Sequence, residues 1–275
     1  MGPAELMAFV LLLQSSLVLA NPTRVIGGQE CIEDEHPWLA AIIDHEFFIC
    51  GATLLNQDWV LTAAHCYEST KLQVKFGVHH KGKPRGDEQV RDAVSTFCFP
   101  DTPGTTNSTC PYEKNNTKHD IMLIKLNASV TYNEHIAPLA LPDRAAPPGT
   151  ECEIIGWGKT EVADEPFPKV PFCASIKILK NHFCQDAYPW WHMTDYQLCA
   201  GILGGGRDTC KGDSGGPLVC DRQIQGIVSF GSDPCAQLLE PGVYSSVYEY
   251  LNWIQGHTGQ EQMRLVSKKK SLKSH

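Results

Sequence analysis

One short segment, Gly212-Asp-Ser-Gly-Gly-Pro217, has the composition of a site built around a nucleophile. It places Ser214 between an aspartate and two glycines, and Asp208 lies six residues before the serine. A serine hydroxyl becomes a good nucleophile only when a base takes its proton, and clustered glycines cost backbone entropy that an ordinary turn does not require. The segment therefore predicts that Ser214 is an activated nucleophile.

Two other segments offer the base and the acid that such a serine needs. The chain has eleven histidines, and His65 stands out because small residues and a cysteine surround it in Leu61-Thr-Ala-Ala-His-Cys66. Asp120 begins the apolar stretch Asp-Ile-Met-Leu-Ile-Lys-Leu126, where an acid is costly to bury without a partner. A buried acid can hold a histidine in the tautomer that accepts a proton. The three segments together predict a base, an acid and a nucleophile.

Short strands are the elements that must hold these residues. Period-two or mostly apolar stretches between Gly and Pro residues are typical of strands, and they predict an all-β protein. The clearest of them are Leu72–Phe76, Ile121–Leu126, Ile224–Phe230 and Val243–Val247. A Pro-rich linker near residues 141–151 divides the body into halves of similar length. Helical spacing appears near the end of the chain, at Val247, Leu251 and Ile254.

Composition and charge narrow the class of protein. The chain has 275 residues, of which 42% are hydrophobic, and a formal net charge of −8. An acidic body without clustered Lys and Arg excludes nucleic acid and anionic membranes as its partners. Residues 257–275 are basic and poor in apolar side chains, so we predict a disordered tail there. A heparin or membrane tether is the alternative for this tail, although a solvated or trimmed tail explains it more simply.

The first twenty residues predict secretion. The apolar run Leu6–Ala20 ends in small residues, as a signal peptide does, and it is short for the alternative, a transmembrane anchor. Twelve cysteines without a Cys-x-x-Cys pair then favour disulfides over a structural zinc site. Three glycosylation sequons, at Asn107, Asn115 and Asn127, fit the same route.

Four motifs in this order resemble the chymotrypsin-type serine proteases. They are Val25-Ile-Gly-Gly28, Thr62-Ala-Ala-His-Cys66, Asp120-Ile-Met-Leu123 and Gly212-Asp-Ser-Gly-Gly-Pro217, and the likeness runs from Val25 to about Gly256. Further stretches, Ile136-Ala-Pro-Leu-Ala-Leu-Pro142, Gln225-Gly-Ile-Val228 and Asp233-Pro-Cys-Ala-Gln237, are similar to the kallikrein-like toxins of reptile venoms. The insert from Cys98 to Cys110 resembles the lizard-venom members more than those of snakes.

The resemblance implies a fold and a catalytic mechanism. The expected fold is two antiparallel six-stranded β-barrels with a short C-terminal helix, spanning a catalytic domain of residues 25–256. In the cleft between the barrels, Ser214 would attack the scissile carbonyl, His65 would carry the proton and Asp120 would orient the imidazole. The backbone amides of Gly212 and Ser214 would form the oxyanion hole.

The resemblance also implies an activation step and a specificity pocket. Cleavage of the Arg24–Val25 bond would remove a propeptide of residues 21–24, and the new ammonium group of Val25 would pair with Asp213. Asp208 would lie at the base of the pocket and select Arg or Lys. Its substrate-binding residues would be Asp208, Ser229, Gly231 and Gly242, with the backbone from Ser229 to Gly231 pairing with the substrate.

Departures from the family pattern carry their own expectations. Phe230 stands where Trp is usual, which keeps a smaller aromatic wall. Lys211 would place a positive charge at the pocket rim. Pancreatic relatives bind calcium through glutamates where this chain has Val78, Lys81, Lys83 and Arg85, and Pro241 replaces the Tyr of sodium-activated relatives. We therefore expect no metal and no other cofactor.

The cysteines follow the family pattern through five pairs, which leaves Cys98 to pair with Cys110. The pairs implied by the resemblance are Cys31–Cys173, Cys50–Cys66, Cys152–Cys220, Cys184–Cys199 and Cys210–Cys235. The loop that Cys98 and Cys110 would close lies before Asp120 and would overhang the cleft, where kallikreins restrict which substrates enter.

The function predicted is that of a secreted, monomeric, zymogen-activated serine endopeptidase that cuts after Arg or Lys in a restricted set of extracellular proteins. Kininogen, fibrinogen and plasminogen are all compatible substrates, and serine protease inhibitors are expected partners. The competing interpretation is a binding protein on an inactive protease scaffold. Such proteins usually lack a triad residue or an oxyanion glycine, and this chain has all of them.

Overall fold

A computed structural model of the chain describes residues 25–67, 71–100, 110, 117–159 and 167–259. The predicted signal peptide and propeptide, the interior of the Cys98–Cys110 loop with Asn107, the Asn115 sequon, and residues 260–275 lie outside the described residues. Within the described ranges, no helix has the length and apolar character that crossing a membrane requires.

Strands dominate the fold, as the short apolar stretches predict. The strands are β1 (Gln29–Glu30), β2 (Leu39–Asp44), β3 (Phe47–Asn56), β4 (Trp59–Thr62), β5 (Gln73–Phe76), β6 (Gln89–Cys98), β7 (Met122–Leu126), β8 (Glu151–Gly156), β9 (Phe172–Leu179), β10 (Gln197–Gly201), β11 (Pro217–Cys220), β12 (Gln223–Phe230) and β13 (Gly242–Ser246). In β5, Val74 and Phe76 are buried while Gln73 is exposed, which is the alternation that the sequence indicated.

Two closed antiparallel barrels result, which confirms the predicted fold class. The first has the order β2-β3-β4-β7-β6-β5, with β5 pairing back onto β2. The second has the order β8-β9-β10-β13-β12-β11, and it closes where β11 pairs with β8. The short strand β1 adds to β9 outside this ring. Both barrels therefore satisfy their backbone hydrogen bonds without leaving a long open edge.

The barrels share packed apolar residues, so the cleft between them has fixed walls. Ile155 and Trp157 from the second half of the chain belong to the same buried cluster as the core of the first barrel. The Gly51 amide in β3 also donates a hydrogen bond of 2.8 Å to the carbonyl of Ser214. A site with residues on both barrels can therefore keep its geometry.

Two α-helices complete the described structure. The second, α2 (Leu251–Thr258), follows a 3₁₀ turn at Val247–Tyr250, in agreement with the spacing of apolar residues there. It is followed by Gly259, whose φ of +69° ends the helix, and the His257 ring in its last turn lies 4.6 Å from the Phe97 ring. The first, α1 (Asn181–Ala187), was not predicted, since seven residues are too few to display a helical period.

Six disulfides join the expected cysteines, and none of the described cysteines is free. The bonds are Cys31–Cys173, Cys50–Cys66, Cys98–Cys110, Cys152–Cys220, Cys184–Cys199 and Cys210–Cys235. Cys50–Cys66 and Cys210–Cys235 flank the two segments that carry His65 and Ser214. Each bond limits the unfolded chain and contributes about 2 to 4 kcal/mol of stability.

Candidate active site

His65 is held on a short 3₁₀ turn, Ala64–Cys66, directly after strand β4. Ala63 and Ala64 are buried, which requires small side chains at this point, and Cys66 ties the turn to β3 through its disulfide with Cys50. The imidazole itself keeps 23% of its surface exposed. The turn therefore fixes the backbone and leaves the ring accessible from the cleft.

Asp120 lies two residues before the start of β7, and its carboxylate contacts His65. Its Oδ2 lies 2.7 Å from His65 Nδ1, and its Oδ1 accepts a hydrogen bond of 2.9 Å from the His65 backbone amide. A proton on Nδ1 directed at a carboxylate makes Nε2 the ring nitrogen that can accept another proton. This is the tautomer that a general base needs.

The second barrel supplies a further donor to the same carboxylate. Ser229 in β12 donates from its hydroxyl to Asp120 Oδ2 at 2.6 Å. Burial alone would raise the pKa of Asp120, but the charge of His65 and the hydrogen bonds from His65 and Ser229 outweigh it and hold the pKa below its usual value. Asp120 is therefore an ionised acid although only 1% of its surface is exposed.

Ser214 lies on a tight turn between β10 and β11 whose glycines are needed for steric reasons. Gly212 has a φ of +98° and Gly215 a φ of +75°, which disfavour any side chain. A Cβ on Gly215 would lie 2.2 Å from Thr62 Oγ1 and 3.1 Å from Cys66 Sγ. The turn that carries Ser214 is therefore packed directly against the turn that carries His65.

A cavity of about 150 Å³ opens beside Ser214 in the second barrel. Its lining includes Ser214 and the β12 segment, and consists of Thr209, Cys210, Lys211, Ser214, Val228, Ser229, Phe230, Gly231, Ser232, Asp233 and Cys235. Asp208 lies behind this wall: a Cβ on Gly231 would come 3.7 Å from one carboxylate oxygen, and one on Gly242 would come 3.0 Å from the other. The two glycines thus keep side chains away from the space next to the Asp208 carboxylate.

Asp208 is buried without a cationic partner among the described residues. Its closest hydrogen bond, 2.7 Å, comes from the Thr209 backbone amide. Burial raises the pKa of Asp208 to about 7, and the backbone hydrogen bonds from Thr209 and Ala236 offset only part of that increase. An acid of this kind favours a cation that brings its own charge into the pocket.

Comparisons with known proteins agree with this geometry. The trypsin family model matches residues 25–254. The chain belongs to the trypsin family. It is 48% identical to alpha- and beta-fibrinogenase OhS1 of Ophiophagus hannah over 93% of this chain and 94% of that protein. It is also 48% identical to the venom plasminogen activator TSV-PA of Trimeresurus stejnegeri, over 91% of this chain and 93% of that one. It is a trypsin-like serine endopeptidase, similar to snake venom serine proteases.

Val25, the first residue of the segment that matches the trypsin family, packs in the core of the second barrel although the Arg24–Val25 bond is intact. Val25 is only 1% exposed, and Ile26 forms a β-bridge with Asp208. Asp213, which we expected to pair with the amino group of Val25 after cleavage, accepts hydrogen bonds from the amides of Gly158 (2.7 Å) and Cys210 (2.9 Å) in the intact chain. Burial raises the pKa of Asp213 to about 6, and the Lys81 charge offsets part of this rise.

The roles of two residues at this trypsin-family site were not predicted from the sequence. Lys81 was noted only for the calcium loop, yet its ammonium lies 4.0 Å from the Phe48 ring and lowers the pKa of Asp213. Ser229 was expected to pair with the substrate through its backbone, but its side-chain hydroxyl also donates a hydrogen bond to Asp120. A serine in a strand carries no local signal for such a role.

Two rim residues differ from the expectation or extend it. Lys211 does not present a lone positive charge at the pocket rim, because its ammonium lies 2.6 Å from Asp233 Oδ2. Phe230 does form an aromatic wall, and the Trp190 and Trp191 rings pack 6.0 Å and 5.3 Å from it.

In the loop where pancreatic relatives bind calcium, the Arg85 guanidinium forms salt bridges of 2.8 Å and 2.9 Å with Glu33 and Asp34.

Proposed function

We propose that this trypsin-like endopeptidase is secreted, is activated by cleavage at Arg24–Val25, and cuts after Arg or Lys in a restricted set of extracellular proteins. The observation that carries the proposal is the carboxylate of Asp208, buried behind Gly231 and Gly242 beside the pocket that Ser214 lines. A guanidinium matches such a carboxylate in charge and in its two-pronged geometry, and Lys reaches it as a point charge.

The chemical step follows from the three residues at the cleft. His65, held at Nδ1 by Asp120, takes the proton of the Ser214 hydroxyl at Nε2 while the serine oxygen attacks the scissile carbonyl. The charge that develops on the carbonyl oxygen is bound by the amides of Gly212 and Ser214. His65 then donates its proton to the leaving amine, and water repeats the cycle on the acyl-enzyme. Asp120 stays ionised throughout, in keeping with its lowered pKa.

Activation supplies the cation that Asp213 lacks. Among the described residues, no Lys, Arg or His forms a salt bridge with Asp213 in the intact chain. After cleavage, the ammonium of Val25 pairs with this carboxylate and orders the neighbouring oxyanion turn. Residues 21–24 are then the propeptide, residues 1–20 the signal peptide, and residues 25–256 the catalytic domain followed by a basic tail.

The relatives suggest where the substrates circulate. One similar protein is named an alpha- and beta-fibrinogenase and another a venom plasminogen activator. We propose plasma proteins of this kind as substrates, a kallikrein-like venom role, plasma serine protease inhibitors as partners and a monomeric enzyme. The likeness of the Cys98–Cys110 insert to lizard-venom enzymes stays a prediction.

Surface sugars and the Cys98–Cys110 loop would restrict access rather than take part in the chemistry. Asn127 is exposed directly after β7, where its side-chain nitrogen donates a hydrogen bond of 3.0 Å to Asp92 Oδ2, and we propose it as a glycosylation site with Asn107 and Asn115. Replacing residues 101–109 with a short Gly-Ser linker leaves Phe99 in place against His119. It should keep hydrolysis of a small arginyl amide within a few fold and increase inhibition by large protein inhibitors. Parallel loss of both would show that the loop supports Asp120 instead.

The test of the proposed function uses trypsin-activated protein and a small arginyl amide. Ser214→Ala should abolish both hydrolysis and labelling by a fluorophosphonate, with an unchanged thermal unfolding midpoint. Arg24→Gln protein, which trypsin cannot cut at this bond, should remain almost inactive before and after treatment. Labelling or full activity in Ser214→Ala would refute the proposed nucleophile, and full activity of uncut Arg24→Gln would refute the proposed activation.

A further inference from the structure

Asp120 is held from the second barrel at its main chain as well as at its carboxylate. The hydroxyl of Ser245 donates a hydrogen bond of 2.7 Å to the backbone carbonyl of Asp120. Ser245 lies in β13 and is only 1% exposed, so this bond is shielded from water. β13 pairs with β12, the strand that carries Ser229. Two adjacent strands of one barrel thus hold one residue of the other.

The residue before Asp120, His119, is held by aromatic residues from both halves of the chain. His119 Nδ1 lies 3.0 Å from the hydroxyl of Tyr250, and the His119 ring packs 4.8 Å from Phe99 and 4.7 Å from Tyr196. Burial lowers the pKa of His119 and raises that of Tyr250. Tyr250 therefore keeps its proton at neutral pH, and its hydroxyl forms a hydrogen bond with a neutral imidazole.

These contacts control the distance between the Asp120 carboxylate and His65 Nδ1, which orients the proposed general base. The Asp120 carboxylate must stay 2.7 Å from His65 Nδ1 to hold the catalytic tautomer, and errors of a fraction of an ångström at such a site reduce turnover. Ser229 holds the Asp120 carboxylate through a hydrogen bond, but the position of the carboxylate also depends on the position of the Asp120 main chain. Ser245 holds the carbonyl of Asp120, and the Tyr250–His119 pair holds the preceding residue.

We propose that Ser245 is a positioning residue for catalysis, which anchors the main chain of Asp120 across the barrel interface with support from the Tyr250–His119 hydrogen bond. This inference rests on the proposed role of Asp120 in orienting His65. Ser245 touches neither the proposed substrate pocket nor the reacting atoms, so its effect passes through Asp120 alone.

The experiment compares Ser245→Ala with Ser246→Ala, the neighbouring buried serine of the same strand. Ser245→Ala should lower kcat for a small arginyl amide about tenfold and leave KM within about twofold, because the pocket is intact. Ser245→Thr restores the hydroxyl and should recover kcat to within about threefold. Ser246→Ala should retain wild-type kcat and KM. Tyr250→Phe, which removes one oxygen, should lower kcat about threefold.

The pH profile separates positioning from a general loss of stability. If Asp120 moves away from the imidazole, the imidazolium gives up its proton more readily, so the acid limb of kcat/KM in Ser245→Ala should move to lower pH. Unchanged kcat in Ser245→Ala, equal losses in Ser245→Ala and Ser246→Ala, or no rescue by Ser245→Thr would overturn the inference. Activity surviving in Ser214→Ala would refute the proposed function instead, so the two failures are distinguishable.

Discussion

Asp120 at the barrel interface and Asp208 in the second barrel are almost equally buried, at 1% and 2% exposed, yet their pKa values shift in opposite directions. Asp120 has His65 beside it and accepts hydrogen bonds from the His65 backbone and the Ser229 hydroxyl, and its pKa is lowered. Asp208 has backbone donors but no cation among the described residues, and its pKa rises to about 7. Burial is common to both, so the neighbouring charge makes the difference.

Asp213 belongs with Asp208 in this comparison. It too is fully buried, is bonded to backbone amides, and has its pKa raised, to about 6. Asp120 has its cationic partner in the folded chain, whereas Asp208 and Asp213 form no salt bridge with any described residue, and we propose that their cations arrive later. For Asp208 the proposed arrival is the side chain of the substrate, and for Asp213 it is the new amino group of Val25.

The largest expected effect comes from removing the charge of Asp120. Asp120→Asn keeps the shape but lets the amide stabilise the wrong tautomer of His65, so kcat for a small arginyl amide should fall about 10⁴-fold, the loss known for this substitution within the family. Asp58→Asn, a partly exposed acid paired with Lys125 in the same barrel, is the matched control and should stay within twofold. A loss below tenfold in Asp120→Asn would contradict the role of Asp120.

Removing the charge of Asp208 should affect one class of substrate. Asp208→Ser leaves the guanidinium of a bound Arg unpaired in a desolvated pocket, so kcat/KM for an arginyl amide should fall by about 10²- to 10³-fold. A leucyl amide should be cleaved no more slowly than before. Asp221→Asn, on an exposed turn, serves as control. Equal losses on arginyl and leucyl substrates would mean a damaged fold and not a specificity acid.

Asp213 should make the uncut chain less stable as pH rises. Its folded pKa of about 6 lies above the ordinary 3.8, so its stabilising contribution is complete below pH 4 and is lost as pH rises through 6. By this shift, uncut Arg24→Gln should lose on the order of 2 to 3 kcal/mol of unfolding free energy between pH 4 and 7 relative to Arg24→Gln/Asp213→Asn. Urea unfolding across this range measures it. If the unfolding free energies of the two variants changed with pH in parallel, the Asp213 carboxylate would already be paired with a cation in the uncut chain.

The smallest expected effect is a pH dependence of pocket binding. Because the pKa of Asp208 is about 7, a cation such as benzamidine must displace a proton below that pH. Affinity should therefore weaken about tenfold from pH 8 to pH 6, with proton release on binding near pH 6. Calorimetry on activated Ser214→Ala in two buffers of different ionisation enthalpy measures this release. Binding that is independent of pH and buffer would place Asp208 with Asp120, as an acid already ionised.

The sequence predicted those parts of the site whose requirements are local. Gly212 and Gly215 adopt positive φ in a crowded turn, His65 needs small neighbours, and each requirement leaves a visible pattern within a few residues. The strands at residues 72–76, 121–126 and 224–230 were visible for the same reason, because alternation or an apolar run is written in consecutive residues. Helix α1 escaped because it is shorter than the period that would reveal it.

Tertiary structure alone decided which side chains hold Asp120, and it left Asp208 and Asp213 without a salt bridge in the part of the chain that the structure describes. Ser245 and Asp120 are 125 residues apart, and nothing near Ser245 distinguishes it from Ser246 until β13 is folded against the residues that precede β7. The placement of Lys81 over the Phe48 and Trp157 rings, where its charge lowers the pKa of Asp213, depends in the same way on how distant segments pack. The sequence therefore determined the chemical groups and their local backbone, while the closing of two barrels determined their charges, because a pKa depends on every group that burial brings near.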